Sequence, residues 1–583
     1  MRCACGYWGG AIADTAEDSL LPRTALSRWP MTAARPAPIL PLALILTVML
    51  TGWWALLGHR DLAALRLPGP DDMLRLAQVR DWVDGQGFAD LVQARLGPPG
   101  GTVMASSRLG DVVPAAVIRV LTPLMGLRRA EVAAVIFWPE LLFFLHLLMT
   151  GAIARRLNGG AGVAPAVALG ALAFPAVALL MPGHVAGEGL QLVLIEAMAL
   201  AFLSNRAAPA GLAAGAALLV GVEAGPSIAG AMLWLLVVWA IERRPVAGFG
   251  IGLLGAALAG LALLRPDVWP IGRCDGFTQP LFAMLLIAGG AWTVLGAIAP
   301  RLPDRRWQIA AAALFVAFAA IATWLAASSC LVDGATVPAS FPSSLGIWLG
   351  ILALPIFAVI AGLLMLREAD GRRDRLLLLA LIAAGLAACW RDPVHAAFAA
   401  AFAAPLLALW VTRAKARGFG AQIAASLVSA GLVWQAIGEA VDAPPDPHVA
   451  GCTSRETLAA LDRLDTGTFA APAALGGYLV GRTQHRSLSG PSSGDDRGNI
   501  AADDLFAATP EAARYQANLW TVDYVALCPT ANGGLPAAAL KPEGLAAHLL
   551  NGTAPDWLEP VGLIGSELSV WRVRAIAAPG RRP

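Results

Sequence analysis

Long apolar stretches recur along most of this 583-residue chain, and they constrain its fold more than any other feature. The hydrocarbon core of a membrane takes about 20 apolar residues of helix, because backbone polar groups must pair within the helix where water is absent. By this measure the sequence predicts about thirteen membrane spans. They lie at residues 38–58, 130–154, 160–181, 187–204, 207–222, 226–242, 246–264, 277–299, 307–328, 343–366, 376–390, 395–412 and 419–440.

The composition agrees with a membrane protein, since 57% of the residues are hydrophobic and only 14% are charged. Soluble domains are nearer a quarter charged, so this chain cannot coat a water-facing globule of its size. A cytosolic enzyme, a nucleic-acid-binding protein and a disordered protein are therefore excluded. The 42 basic and 40 acidic residues nearly cancel, so only their placement along the chain is informative.

The placement of positive charge predicts an orientation in the membrane. Basic residues occupy every second loop, and the short loops between them have almost none. The basic loops contain Arg155 and Arg156; Arg206; Arg243 and Arg244; Arg301, Arg305 and Arg306; Arg367, Arg372, Arg373 and Arg375; and Arg413, Lys415 and Arg417. Loops rich in Lys and Arg remain in the cytoplasm. This puts the N-terminus in the cytoplasm and, with an odd number of spans, the C-terminal tail outside.

Hydropathy divides the chain into three parts. Residues 1–37 are predicted to form a cytoplasmic segment without a signal-peptide pattern. Residues 38–440 form the membrane domain, which includes a long periplasmic loop at 59–129, and residues 441–583 form a soluble tail. The expected fold class is thus an α-helical polytopic membrane protein with a small C-terminal periplasmic domain.

The tail is predicted to be an α/β domain. A helical opening at 454–464 is followed by strand-like runs such as 522–527 and 568–574, with Gly and Pro turns between them. It carries no P-loop, no G-x-S-x-G and no Cys/His metal spacing, so nothing in it indicates catalysis.

Four of the seven cysteines fall on the predicted outer side, where disulfides persist. Two pairs, Cys274–Cys330 and Cys452–Cys528, would each link one outer region. Four buried thiols without a bond are the alternative.

The densest group of ionisable residues lies in the periplasmic loop just past the first span. The acidic pair Asp71 and Asp72 opens a helical stretch at 73–84, with Arg75 on the same face as Asp71. A carboxylate at the membrane surface can accept a proton from an acceptor hydroxyl, or hold a divalent cation such as Mg²⁺ or Mn²⁺ beside a lipid phosphate. The structural alternative is a pair of acids that caps a helix.

Later in the same loop, Arg108 and Asp111 place a basic and an acidic side chain close to the membrane again, just before the second hydrophobic stretch. The planar guanidinium of Arg binds phosphate through two donors, so Arg108 is a candidate contact for a lipid-linked phosphate. A surface Arg–Asp pair is an equally good interpretation.

Several spans carry a polar residue at the predicted outer end, namely Glu140, His184, Glu188, Glu223 and Arg391. His184 and Glu188 are four residues apart and share a helix face, which could ligate a metal or meet a phosphate. Taken singly, each is typical of the membrane interface. Together they predict one polar cavity that opens outward.

This pattern resembles the GT-C class of membrane glycosyltransferases, and within it the catalytic subunit of oligosaccharyltransferases and its bacterial relatives. The shared plan is a cytoplasmic N-terminus, many spans, an acidic motif just past the first span and a soluble outer domain. The segments that carry the resemblance are P-D-D-M-L-R-L at 70–76, V-R-D at 79–81, S-R-L at 107–109, and P-G-H at 182–184 with Gln191.

The resemblance implies a transferase that moves a sugar from a polyprenyl-phosphate-linked donor to a cell-envelope acceptor at the periplasmic face of the bacterial inner membrane. It implies that Asp71 is a general base or metal ligand, with Asp72 assisting, and that Arg108, His184 and Arg75 hold the donor. Membrane lipid is the other implied partner. The W-W-D-Y-G type motif that reads Asn-x-Ser/Thr acceptors is absent from the tail, so the resemblance does not extend to protein N-glycosylation.

Two other functions remain open on the sequence. A transporter or flippase of lipid-linked sugars would place ionisable residues at the middle of the membrane and often shows inverted repeats. A non-catalytic scaffold would depend on the tail and not on Asp71 or Asp72.

Overall fold

The structure, a computed structural model, describes residues 38–104, 106–264, 276–333, 344–442, 451–491, 496–530, 532–563 and 566–574. Within these residues, the membrane helices, the loop between the first two predicted spans and the tail belong to one compact unit. The division of the chain into separate domains therefore stays a prediction.

Helices make up nearly all of the apolar part of the chain. They are α1 (Ile39–Leu57), α2 (His59–Ala63), α3 (Pro70–Val83), α4 (Val112–Met125), α5 (Leu127–Asn158), α6 (Val163–Gly170), α7 (Glu188–Leu203), α8 (Ala207–Val220), α9 (Gly225–Glu242), α10 (Ala247–Leu264), α11 (Gln279–Ile298), α12 (Arg305–Asp333), α13 (Leu345–Met365), α14 (Arg372–Ala388), α15 (Val394–Ala414), α16 (Phe419–Val428) and α17 (Gly431–Val441).

The chain is a multi-pass membrane protein, but the predicted count of thirteen spans is not confirmed. Among the described residues, seven helical stretches are long and apolar enough to cross a membrane, or eight if the bent pair α16–α17 is one span. Each predicted span contains a helix, yet several of these helices are short. For example, α8 has 14 residues, which rise only about 21 Å against a hydrocarbon core of about 30 Å.

The predicted break between two spans near residue 223 is present. Helix α8 ends at Val220, a single 3₁₀ turn covers Val222–Ala224, and α9 begins at Gly225 with Pro226 in its first turn. Proline lacks the N–H that an interior helix position needs but fits the first turn, so it starts a new helix here.

Helix α15 runs through the centre of the bundle. Every residue from His395 to Leu409 is buried, and most of them are alanine with two phenylalanines, Phe398 and Phe402, fully enclosed. Small residues allow neighbouring helices to approach closely, which replaces the hydrophobic driving force that is absent in lipid.

The loop between α1 and α5 is folded. It contains α2, α3 and α4, and a short antiparallel pair of strands, β1 (Val92–Gln93) and β2 (Thr102–Val103). Helix α3 begins three residues earlier than predicted, at Pro70, so both aspartates lie in its first turn.

The tail contains a five-stranded mixed sheet with helices around it. Its strands are β3 (Thr468–Ala470), β4 (Arg486–Ser487), β5 (Tyr524–Leu527), β6 (Leu558–Val561) and β7 (Ser569–Val573). Its helices are α18 (Arg455–Leu461), α19 (Ala473–Arg482), α20 (Asp496–Ala507), α21 (Pro510–Leu519) and α22 (Leu545–Leu550). The strand order is β4-β3-β5-β7-β6, with β3 parallel to both neighbours and β7 antiparallel to both of its own.

One of the two expected cysteine pairs is bonded. Cys452 and Cys528 form a disulfide with Cα atoms 5.4 Å apart, which ties the start of the tail to the end of β5. Cys274 and the side chain of Cys330 lie outside what the structure describes, so the other pair stays a prediction.

Candidate functional site

Asp71 presents an open carboxylate in the first turn of α3. Pro70 occupies the first helical position, and the side chain of Asp71 is exposed. In the described part of the chain, no hydrogen bond or ion pair engages its carboxylate. A carboxylate without a protein partner is free to accept a proton or a ligand.

Several acids from distant parts of the chain surround Asp71. Burial, which disfavours the charged carboxylate, and the negative charges of Asp72, Asp392 and Glu223 together raise the pKa of Asp71 from 3.8 to about 6. Asp71 is thus exposed to solvent and at the same time close to several other acids. A carboxyl group with a pKa moved toward neutrality by burial and like charges is characteristic of a functional site.

Asp72 has a different position and a structural task. Its side chain is only 3% exposed, and its Oδ1 accepts hydrogen bonds from the N–H groups of Val185 (2.8 Å) and Ala186 (3.0 Å). Its Oδ2 accepts from the N–H of Gly69 (3.1 Å) and lies 3.3 Å from Nδ1 of His184. Both oxygens are used, so Asp72 fastens the start of α3 to the loop before α7.

His184 lies beside Asp72, with 28% of its side chain exposed. Burial lowers the pKa of His184, but the hydrogen bond and charge of Asp72 and the charge of Glu188 outweigh it and raise the pKa above 6.5. His184 is therefore more easily protonated than a free histidine. The imidazolium form is suited to the predicted role of holding phosphate.

Arg75, Arg108 and Asp111 form an internal network. Nε of Arg75 lies 2.5 Å from Oδ1 of Asp111, and its Nη2 donates to the carbonyl of Ser107 at 2.5 Å. Nη1 of Arg108 donates to the carbonyl of Gln78 at 2.7 Å. All three charged side chains are at most 4% exposed. Their charges fasten α3 to the returning loop, so both guanidinium groups are engaged within the protein.

The remaining predicted residues are distributed around Asp71. Glu223 accepts a hydrogen bond from Nε2 of Gln191 at 2.7 Å, and Glu188 begins α7 next to His184. Within the described residues, Glu140 on α5 and the exposed Arg391 make no hydrogen bond or ion pair with Asp71. The structure thus groups Asp71, Asp72, His184, Glu188 and Glu223 and adds Asp392, which the sequence did not single out.

The tail contacts the helix that carries Asp71, which sequence reasoning did not predict. The hydroxyl of Tyr478 lies 2.9 Å from the carbonyl of Pro68 and donates to it. A Cβ atom on Gly477 would lie 2.4 Å from the carbonyl oxygen of Pro70, and Gly481 is equally close to the next turn of α3. The glycines of G-G-Y-x-x-G on α19 therefore allow direct backbone contact with α3.

A buried polar cluster inside the bundle was also missed. Nδ1 of His146 on α5 lies 2.9 Å from Oε1 of Glu196 on α7, and the hydroxyl of Thr150 donates to the same oxygen at 3.3 Å. Nε2 of His146 lies 3.3 Å from the carbonyl of Gly170. In the sequence, this cluster is visible only as one His and one Glu, His146 and Glu196, within two apolar helices. Such residues inside a membrane generally pair with one another.

The residues around Asp71 suit a divalent cation in type but do not form a complete set of ligands. Within the described residues, no group of three or more His, Cys, Asp or Glu could hold a metal ion. Mg²⁺ typically keeps several waters and binds through one or two carboxylates together with substrate phosphates. The open carboxylate of Asp71, with an excess of negative charge near it, fits that mode.

No protein family and no curated protein matches the sequence significantly. Solved structures of an oligosaccharyltransferase from the archaeon Archaeoglobus fulgidus do match the fold. The structure of the enzyme (AglB) with an inhibitory peptide and a dolichol-phosphate has a TM-score of 0.61 at 11% identity, covering 84% of this chain and 68% of that one. Its complex with Zn and sulfate gives 0.60 at 13%, covering 84% and 67%. A form tethered to an acceptor peptide containing the NVT sequon gives 0.59 at 12%, covering 84% and 68%.

At such low identity these matches establish the fold. The chain shares the fold of this oligosaccharyltransferase, which confirms the predicted resemblance at the level of architecture.

Proposed function

We propose that this protein is a GT-C glycosyltransferase of the bacterial inner membrane. It transfers a sugar from a polyprenyl-phosphate-linked donor to a cell-envelope acceptor at the periplasmic face. The observation that carries the proposal is the open, partnerless carboxylate of Asp71 with a pKa of about 6, in a fold shared with an oligosaccharyltransferase.

In the proposed reaction Asp71 is the general base. The acceptor hydroxyl attacks C1 of the donor sugar as its proton passes to the Asp71 carboxylate, and the bond from C1 to the phosphate oxygen breaks with its electron pair on that oxygen. Attack opposite the leaving group inverts C1. His184, protonated and close to Asp72, would stabilise the departing phosphate.

A divalent cation, Mg²⁺ or Mn²⁺, would neutralise charge on the leaving phosphate. Asp71 is the residue that would hold it, as the alternative to its role as general base. The related oligosaccharyltransferase was solved with Zn, and with dolichol-phosphate in another complex, which supports a lipid-phosphate donor and an ion near it.

The test is Asp71→Asn in a strain whose only copy is the variant. Loss of a general base typically lowers the rate about 10²–10⁴-fold. We therefore expect the lipid-linked donor to accumulate as it does in a deletion strain. The matched control is Asp370→Asn, an exposed acid in a loop predicted to be cytoplasmic. Normal donor levels with a normally abundant Asp71→Asn protein would refute the proposal.

The side of the membrane on which the donor accumulates distinguishes a transferase from a flippase. In intact spheroplasts, a membrane-impermeant oxidant reaches a donor left outside by a failed transferase, but not one left inside by a failed flippase. A scaffold predicts no accumulation in Asp71→Asn and a defect when the tail is deleted.

A further inference from the structure

A cavity of about 600 Å³ lies where α3, the start of α5 and the tail meet. Its lining includes Arg80 of α3 and Asp84, which directly follows that helix. Arg80 is nine residues beyond Asp71, which at 3.6 residues per turn places it about 180° around the helix. This cavity is therefore separate from the Asp71 site. Its volume is in the range of small-molecule sites, about 300–1,000 Å³.

In three of the arginines that line this cavity, a backbone carbonyl accepts a hydrogen bond from one side of the guanidinium group and so fixes its position. Nη2 of Arg128 donates to Ala63 at 3.0 Å, and Nε of Arg482 donates to Ala64 at 2.9 Å. Arg95 is held in the same way, through Nη1 to the carbonyl of residue 483 at 2.7 Å. Within the described residues, Nη1 of Arg128 and Nη2 of Arg482 have no hydrogen-bond partner. Fixed guanidinium groups with free donors are well prepared for phosphate.

The arginines also repel one another. Burial lowers the pKa of Arg482, and the positive charges of Arg128 and Arg80 lower it further, against the opposing charge of Asp462. Asp462 is 4.0 Å from Arg482, whereas Glu131 is already engaged by Arg80 at 2.6 and 3.1 Å. A bound phosphate would relieve this repulsion.

The whole lining is nevertheless balanced in charge, since four arginines face four carboxylates. A purely anionic ligand would leave Asp84 and Asp462 next to negative charge. A ligand that carries a phosphate and an ammonium group would satisfy both sets.

The cavity also borders an apolar surface. Its wall includes Ile118 of α4 and Leu127, where the candidate span through α5 begins. Beside them Val120 and Leu124 are 66% and 77% exposed. Exposed apolar residues on a short helix next to a membrane span are typical of contact with the lipid surface.

We propose that this cavity binds the headgroup of a zwitterionic phospholipid with a primary amine. The phosphate lies against Arg128 and Arg482, the ammonium group against Asp84 and Asp462, and the acyl chains follow α4. Because α3, α5 and the tail all contribute to the cavity, the bound lipid would connect them. The inference does not depend on catalysis at Asp71.

The test measures binding of short-chain phosphatidylethanolamine to the purified full-length protein in detergent by native mass spectrometry. We expect saturable binding that weakens at least tenfold in Arg128→Ala/Arg482→Ala. The matched control is Arg119→Ala, an exposed arginine on α4 that lies over Trp82 and does not line the cavity. Equal weakening in the control, or no saturable binding to the parent protein, would overturn the proposal.

Two further arms identify the ligand. Phosphatidylglycerol and inorganic phosphate should bind at least tenfold more weakly than phosphatidylethanolamine. Tighter binding of either would indicate an anion site and overturn the zwitterion proposal. Asp84→Asn, an exposed and conservative change, should reduce the preference for phosphatidylethanolamine over phosphatidylglycerol while the protein stays folded; an unchanged preference would contradict the ammonium contact.

Discussion

At the scale of single residues, the two adjacent aspartates of α3 differ in where their side chains lie. Asp71 is exposed without a partner, and Asp72 is buried against the N–H groups of Val185 and Ala186. The sequence indicated the acidic pair because of its place beyond the first span. It could not separate the roles, because the donors to Asp72 come from a loop 113 residues away.

We expect activity to rise with pH through about 6. Asp71 must be ionised to accept a proton, and its pKa is raised to about 6, so the base form is lost as pH falls below that value. The check is kcat/KM against pH with a purified transferase and a lipid-linked donor. A profile that stays flat down to pH 5 would contradict Asp71 as the base.

Substitutions of Asp71 and Asp72 should have opposite effects on the stability of the fold. A raised pKa in the folded state means that ionised Asp71 destabilises the fold above about pH 6 and that the effect disappears below its unfolded value, near 4. Asp71→Asn should therefore unfold at a higher temperature than the parent at pH 8 and at the same temperature at pH 4. Asp72→Ala should instead lose about 2–5 kcal/mol, since it leaves buried N–H groups unpaired. Thermal unfolding in detergent measures both.

At the scale of elements, much of the helical pattern was predictable because it depends on local apolar length and helix breakers. The break before α9 and the strands β5 and β7 fall inside predicted segments. The contact between α3 and α19 was not predictable, since its partners are about 400 residues apart and share no periodicity. Hydropathy alone does not fix the number of spans, because short apolar helices such as α8 pass as spans when only composition is considered.

The contact between α19 and α3 should control the position of Asp71. Gly477→Ala would place a Cβ 2.4 Å from the carbonyl oxygen of Pro70, so α3 must move. Overpacking of this kind costs about 1–3 kcal/mol. We expect kcat to fall at least tenfold and the pH midpoint near 6 to shift, which simple destabilisation would not produce. Gly562→Ala is the control, because nothing lies within 4 Å of its Cβ. An unchanged pH midpoint would contradict a positioning role.

At the scale of the whole molecule, the proposal requires α3 and the tail to share one side of the membrane, and their direct contact meets this requirement. The charge pattern predicts that this side is the periplasm, where the Cys452–Cys528 disulfide can also persist. The folded loop, the tail and the open carboxylate are thus predicted to form one outward-facing assembly.

Cysteine labelling in intact cells tests this orientation directly. Ala94 in the folded loop and Ala369 in a loop rich in arginine are both exposed, so Ala94→Cys and Ala369→Cys are matched single-atom additions on predicted opposite sides. A membrane-impermeant maleimide should label Ala94→Cys above the background of the parent chain and leave Ala369→Cys unlabelled until the cells are permeabilised. The reverse pattern would place Asp71 in the cytoplasm, away from any acceptor in the cell envelope, and the proposed reaction could not occur there.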